Sequence, residues 1–285
     1  MSTSQTGLWA MTKKEFDESV SALEKAVVKQ GGNPRDLFDI LRTDGEYACR
    51  IAQAMMRKGF VGDINLQQAR AVLGRNIFDG ADWLSYYGAK LTENQLSESL
   101  KFPWGEDVLN SPCPFNKGKL VRDTHFAFLG LSTLNESPLT VAKWLELHSK
   151  TDQPKFYHRD NPWHAGQPHT DVATMQFKWY LMLKDIVPDS TSKTPEEQVA
   201  MLPPEYEASS TITEVTKDIL VFHKTGIYPN RYRWAACAER TVMTDKMSSA
   251  GLVSCVGHFV GHGLDVYCWD GRRFDGVGLG ASRKF

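Results

Sequence analysis

Residues 252–269, LVSCVGHFVGHGLDVYCW, hold the pattern that decides the fold. Gly257, Gly261 and Gly263 argue against helix, because each glycine costs a helix interior about 1 kcal/mol. The runs on either side of Gly261-His262-Gly263 predict two strands, 252–260 and 263–269, joined there. A further strand candidate, 231–243, precedes them. Upstream, Val172, Thr174, Gln176 and Lys178 alternate with Ala173, Met175, Phe177 and Trp179, the two-residue period of a half-buried strand. Thr124 to Leu131 reads as another strand.

Helical signals are interleaved with these strands. Ser137-Pro138 opens a helix carrying Leu139, Ala142 and Leu145. Thr194-Pro195-Glu196-Glu197 supplies a cap, a proline at the first helical position and first-turn acid. Ile212 to Phe222 is a helix closed by Gly226, and residues 151–170 read as a long loop. The first hundred residues read as helical throughout. Thr12 with Glu15 forms a capping box, after which Phe16, Val20, Leu23 and Val27 make an apolar stripe. Asn33-Pro34 restarts the chain; Tyr47, Ile51 and Met55 mark a third helix; Asn65 caps a fourth; Thr92 with Gln95 gives another box. The expected fold class is α+β: a helical region over 1–102 and an α+β region over 103–285, forming one compact unit in which helices pack on a mostly antiparallel sheet.

Composition narrows the function classes. Thirty-three basic and thirty-four acidic residues among 285 leave a net charge of -1, so no global field recruits nucleic acid or an anionic membrane. No apolar run approaches the roughly 18 residues of a membrane span. The N-terminus lacks a secretory layout, and five widely spaced cysteines without a C-x-x-C pair fit neither a disulfide framework nor a structural zinc site. A cytoplasmic protein is the expectation. Phosphate-loop, dinucleotide-binding, nucleophile-elbow and zincin motifs are all missing.

Three constellations remain. In His169-Thr170-Asp171, positions i and i+2 of an extended chain share a face, so an imidazole and a carboxylate can meet one ion. With His223 they would form the facial set of an iron/2-oxoglutarate oxygenase, and Arg231, Arg233 or Arg240 could hold the cosubstrate carboxylate. The helix pattern around His223 argues against that set, and the plainer expectation is that Asp171 turns the chain. Cys113 with His125 and Asp123 offers the residue types of an activated thiol, although a structural cysteine between Pro112 and Pro114 fits better. His258 and His262 are too far apart for one ion along a strand, but could approach across a tight turn. The eight tryptophans, and the basic residues of the last third with Tyr228, Tyr232 and Trp234 between them, could serve a cleft or stack on single-stranded nucleic acid. Acidic residues such as Asp265 and Asp275 cancel much of that basic field, which makes nucleic acid a weak expectation.

Cys113-Pro114-Phe115, Asp123-Thr124-His125, Trp179-Tyr180-Leu181-Met182 followed by Pro188 and Ser190, Gln198, Glu239-Arg240, and Gly278-Leu279 through Ser282-Arg283-Lys284 occur in an order that resembles a family of uncharacterised bacterial proteins. The resemblance covers roughly residues 104–285 and brings no activity, cofactor or partner. The expected function is therefore a non-catalytic binding or interaction protein. An iron/2-oxoglutarate-type oxygenase using His169 and Asp171, or single-stranded nucleic-acid binding, is the alternative.

Overall fold

The computed structural model describes residues 13–29, 32–45, 64–148, 150–158, 160 and 162–284. Contacts divide the chain into residues 1–60 and residues 61–285. In the first unit, helices Lys13–Lys29 and Pro34–Thr43 are described, and the Asn33 side chain caps the second by accepting from Arg35 N–H at 3.1 Å. The box at Thr12 and the helix expected through Tyr47, Ile51 and Met55 lie outside the described residues.

The second unit is α+β. Its strands are β1 (Ile64–Asn65), β2 (Ile77–Phe78), β3 (Lys101–Phe102), β4 (His125–Leu129), β5 (Thr133–Leu134), β6 (Ser137–Pro138) and β7 (Trp179–Leu183). They continue with β8 (Tyr206–Ala208), β9 (Trp234–Arg240), β10 (Val253–Val260), β11 (Gly263–Trp269), β12 (Val277–Leu279) and β13 (Ala281–Arg283). A five-stranded sheet runs β2-β4-β7-β13-β8 and a four-stranded sheet runs β11-β10-β9-β12. Each is antiparallel except at one edge, where β2 lies parallel to β4 and β12 parallel to β9. The chain steps between the sheets at Gly280, where a Cβ would lie 2.2 Å from Ser209 Oγ and 3.0 Å from Glu214 Oε2. No side chain fits at that crossing.

Helix Thr211–Thr225 contacts strands of both sheets, and every residue from Thr211 to Val221 is buried. Ser210 caps its start, and Gly226, at φ +72°, closes it in the left-handed conformation that glycine adopts without strain. A helix enclosed on all sides is ordinarily apolar all round. This one contributes Ile212, Val215 and Ile219 to the main core with Phe126, Trp144 and Phe259, yet also buries Thr216, Glu214, Lys217 and Asp218. Each large apolar side chain is worth about 1.5–3 kcal/mol of burial. The polar residues need partners inside; Thr216 Oγ1, for example, accepts from Trp144 Nε1 at 2.9 Å.

Several sequence expectations need correction. The alternating run 172–178 is not a strand, because β7 pairs with β4 only from Trp179 opposite Leu129 to Leu183 opposite His125. Beyond Leu129 the partner turns away at Gly130, whose missing Cβ leaves room for the Tyr180 ring; a Cβ there would lie 2.4 Å from Cε2. Ser137-Pro138 forms β6 of a small hairpin, and the following helix, Val141–Leu147, is capped instead by Thr140, which accepts from Lys143 N–H at 3.1 Å. Asn65 ends β1 and directly precedes the expected helix, Leu66–Leu73, and the 231–243 strand shortens to β9. Within the stretch read as wholly helical, β1 pairs with β3 and β2 joins the five-stranded sheet.

Candidate functional site

The β10–β11 hairpin forms as expected, but it is not regular. Its register shifts between Gly257 and Val260. Gly257 sits at φ +149° with Arg233 O where a Cβ would be, only 2.3 Å away, and His258 follows at φ +44°. Such a bulge re-aims a side chain. Here it lays the His258 ring flat on Trp234, with centroids 4.7 Å apart and planes 13° apart. The turn is equally specific. Gly263, at φ +121°, has Lys155 O and Phe156 C both 2.7 Å from the position of a Cβ. The absent side chain lets the 153–157 loop lie directly on β11. Leu264 N–H donates to Lys155 O at 2.7 Å, Tyr157 N–H to Leu264 O at 2.9 Å, and Trp163 Nε1–H to Val266 O at 2.7 Å.

This packing lines up six rings. Tyr267 meets Trp234 at 5.2 Å, Trp234 meets His258, His258 meets His262 at 6.1 Å, His262 meets Tyr157 at 5.3 Å, and Tyr157 meets His158 at 4.4 Å between centroids. The array gathers about Asp265, which is only 5% exposed. Its Oδ2 accepts from Trp234 Nε1–H at 3.1 Å. Its Oδ1 has no hydrogen-bond partner and lies 3.9 Å from His158 Nε2. Burial pushes the Asp265 carboxyl above its ordinary range, against the opposing pull of the Trp234 hydrogen bond and of His158, His258 and His262.

Beside this array lies a cleft of about 340 Å³ lined in part by Lys150, Lys155, Tyr157, His158, Asp160 and His262. Lys150 is paired with Asp160. Among the described residues Lys155 has no carboxylate within ion-pair distance, so the cleft has a surplus of cationic and donor groups over planar rings. No group of three or more His, Cys, Asp or Glu side chains suited to a metal ion forms among the described residues.

The residues singled out from sequence fall elsewhere. His169 and Asp171 lie on a single helical turn, Pro168–Asp171, not on an extended segment. Asp171 Oδ2 accepts from Gly166 N–H at 2.7 Å, so it turns the chain, and His169 is buried with Nε2 unpartnered and its pKa lowered first by that burial. His223 is in the last turn of the central helix, as its pattern predicts; its Nε2 lies 2.8 Å from Tyr87 Oη, and burial lowers its pKa to about 4. His125 has both ring nitrogens engaged, Nε2 with Tyr206 Oη at 3.0 Å and Nδ1 with Thr124 Oγ1 at 2.9 Å, which leaves neither for the Cys113 thiol. Burial holds its pKa near about 3. Cys113 is buried with a weak contact from Asn116 Nδ2 at 3.8 Å, and Asp123 accepts from Leu120 N–H at 3.2 Å. Sequence reasoning missed Asp265, His158 and Tyr157 as site residues. The available signal was an acid, Asp265, placed between Leu264 and Val266 inside an apolar strand.

Comparison with protein families, with curated proteins and with solved structures finds no match to this chain. Among the described residues no helix is long and apolar enough to cross a membrane.

Proposed function

We propose that this protein is a non-catalytic binding protein for a small anionic ligand bearing a planar ring, such as a nucleotide. The observation that carries this reading is the continuous ring array beside a cleft whose Lys155, His158 and His262 can face an anion. Asp265 Oδ1 lies 3.9 Å from His158 Nε2, so its charge is felt at that imidazole. Tyr157 and His262 provide faces on which a planar group can stack. A cleft of about 340 Å³ lies at the small end of the range for ligand sites.

Calorimetric titration at low salt with mononucleotides, inorganic phosphate and a short single-stranded oligonucleotide tests this. Binding of a mononucleotide, weakened about tenfold by Lys155→Ala or His158→Ala, is expected, since a charge-assisted contact is worth about 1.5–3 kcal/mol. Binding of the oligonucleotide alone would instead favour a single-strand surface, to which exposed Arg231 stacked over Tyr232 at 5.1 Å would contribute. No binding of any of the three would end the reading.

The free thiols of Cys113, Cys237, Cys255 and Cys268 support a cytoplasmic setting. Kinship with the bacterial family is also part of this proposal, and some of the residues that carry it pair with one another. Ser282 pairs with Met182, Gln198 Nε2–H donates to Ser190 O at 2.9 Å, and Leu279 N–H donates to Ser190 Oγ at 2.9 Å.

A further inference from the structure

The central helix encloses charges that the proposed ligand site does not use. Glu214, Lys217 and Asp218 are 0% exposed, and Asn230 is 3% exposed. Lys217 Nζ contacts Glu214 Oε1 closely and Asp218 Oδ1 at 3.1 Å. Asn230 Nδ2 lies 3.1 Å from that same Glu214 oxygen and 3.4 Å from each Asp218 oxygen. A primary amine and a carboxamide therefore meet on one carboxylate oxygen, in a site closed to bulk solvent.

The carboxamide is held and not fully used. Asn230 has a left-handed backbone, φ +48°; its N–H donates to Asp185 Oδ1 at 2.9 Å and its carbonyl accepts from Arg233 N–H at 3.2 Å. Its side-chain Oδ1 and Glu214 Oε2 are both buried without a hydrogen-bond partner. Two carboxyl groups and one ammonium cannot all stay charged at low cost when so fully buried. Burial pushes Asp218 upward against the pull of Lys217, while Lys217, which burial alone would lower, is raised by Asp218 and Glu214.

We propose that Lys217 and Asn230 become joined by an intramolecular isopeptide bond in the folded protein, with Glu214 as the proton carrier. Glu214 takes a proton from the Lys217 ammonium, and the neutral Nζ attacks Asn230 Cγ. The Nζ–Cγ bond forms, the Cγ–Nδ2 bond breaks, and Nδ2 leaves as ammonia. Of the three ammonium protons, one stays on the new amide nitrogen, one departs with ammonia and one remains on Glu214. No oxidant or cofactor enters the balance. Fixed proximity supplies the rate, as in other intramolecular acyl transfers. The product replaces a buried ammonium and carboxylate with a neutral amide and a neutral acid, which removes the desolvation cost of both.

The mass of the intact full-length chain under denaturing conditions tests this directly. The expected value is lower than the sequence mass by one ammonia, with a protease-derived branched peptide joining Lys217 to Asn230. Asn230→Ala and Glu214→Gln chains are expected at their full calculated masses. If a variant fails to fold, the wild-type branched peptide still decides the matter. A wild-type chain of full mass, a loss of water instead of ammonia, or an ammonia loss mapped to other residues would overturn the proposal.

Discussion

Asp265 and Asp218 are two buried carboxyl groups that burial raises in pKa, and their surroundings answer them differently. Asp218 lies wholly inside the fold, with its counter-charge, Lys217, equally enclosed. Asp265 lies under a surface array, and the imidazole nearest its free oxygen, His158, has a side chain 48% exposed. A carboxyl whose partner is sealed in with it is part of the framework. One whose partner stands at a cleft can transmit its charge to whatever binds there.

The largest effect should come from breaking the sealed cluster. Lys217→Met removes the amine, and with it the cross-link to Asn230, and leaves the carboxyl groups of Glu214 and Asp218 buried without it, at a cost of about 3–5 kcal/mol. Denaturant unfolding should show this loss, and an unchanged midpoint would mean that the cluster opens to water. Next come buried imidazoles that have no carboxylate partner among the described residues. Burial takes His125 to about 3, His164 to about 3 and His223 to about 4. Each remains neutral when folded, so its stabilising contribution is complete above the unfolded value of about 6.5 and is lost as pH falls from there toward the folded value. Each gives a slope of about 1.4 kcal/mol per pH unit, so His125→Gln should flatten acid unfolding by about 2–3 kcal/mol between pH 6.5 and 4.5. Thermal melts across that window check it.

Gly263→Ala addresses the surface site. Its φ of +121° and the loop backbone 2.7 Å from the added methyl should cost about 1–3 kcal/mol and displace the 153–157 segment. Hydrogen exchange should then lose protection at Leu264 and Tyr157 N–H. The smallest stability change, and the one that separates the two regions most cleanly, is Asp265→Asn. Because the folded carboxyl is raised, folding favours its protonated form, and the penalty appears as pH rises through the folded value. The amide removes that penalty, so stability at pH 7 should rise by about 1 kcal/mol with little change at pH 4. Affinity for the proposed ligand should change in the same variant, because the charge beside His158 is removed. Parallel melts and titrations would show whether stability and binding separate in this way.

What could be read from the sequence is what neighbours along the chain decide. Asn33, Thr92 and Thr194 cap helices with their own side chains two or three residues away, and Gly226 ends one through its own φ. The 253–260 and 263–269 strands were legible for the same reason, since a turn of one or two residues sets their pairing. The 172–178 run shows the limit: its alternation suits a strand, but strand formation needs a partner, and β4 ends at Leu129, before Gly130. Composition could show that His158, Trp234 and Asp265 exist, not that they meet. The Trp234–Asp265 hydrogen bond and the His158–Asp265 approach join residues 31 or more positions apart and depend on where the chain returns. That return is decided by Gly257 and Gly263 admitting other backbone within 3 Å, and by a central helix whose polar face finds its partners only once both sheets have closed around it.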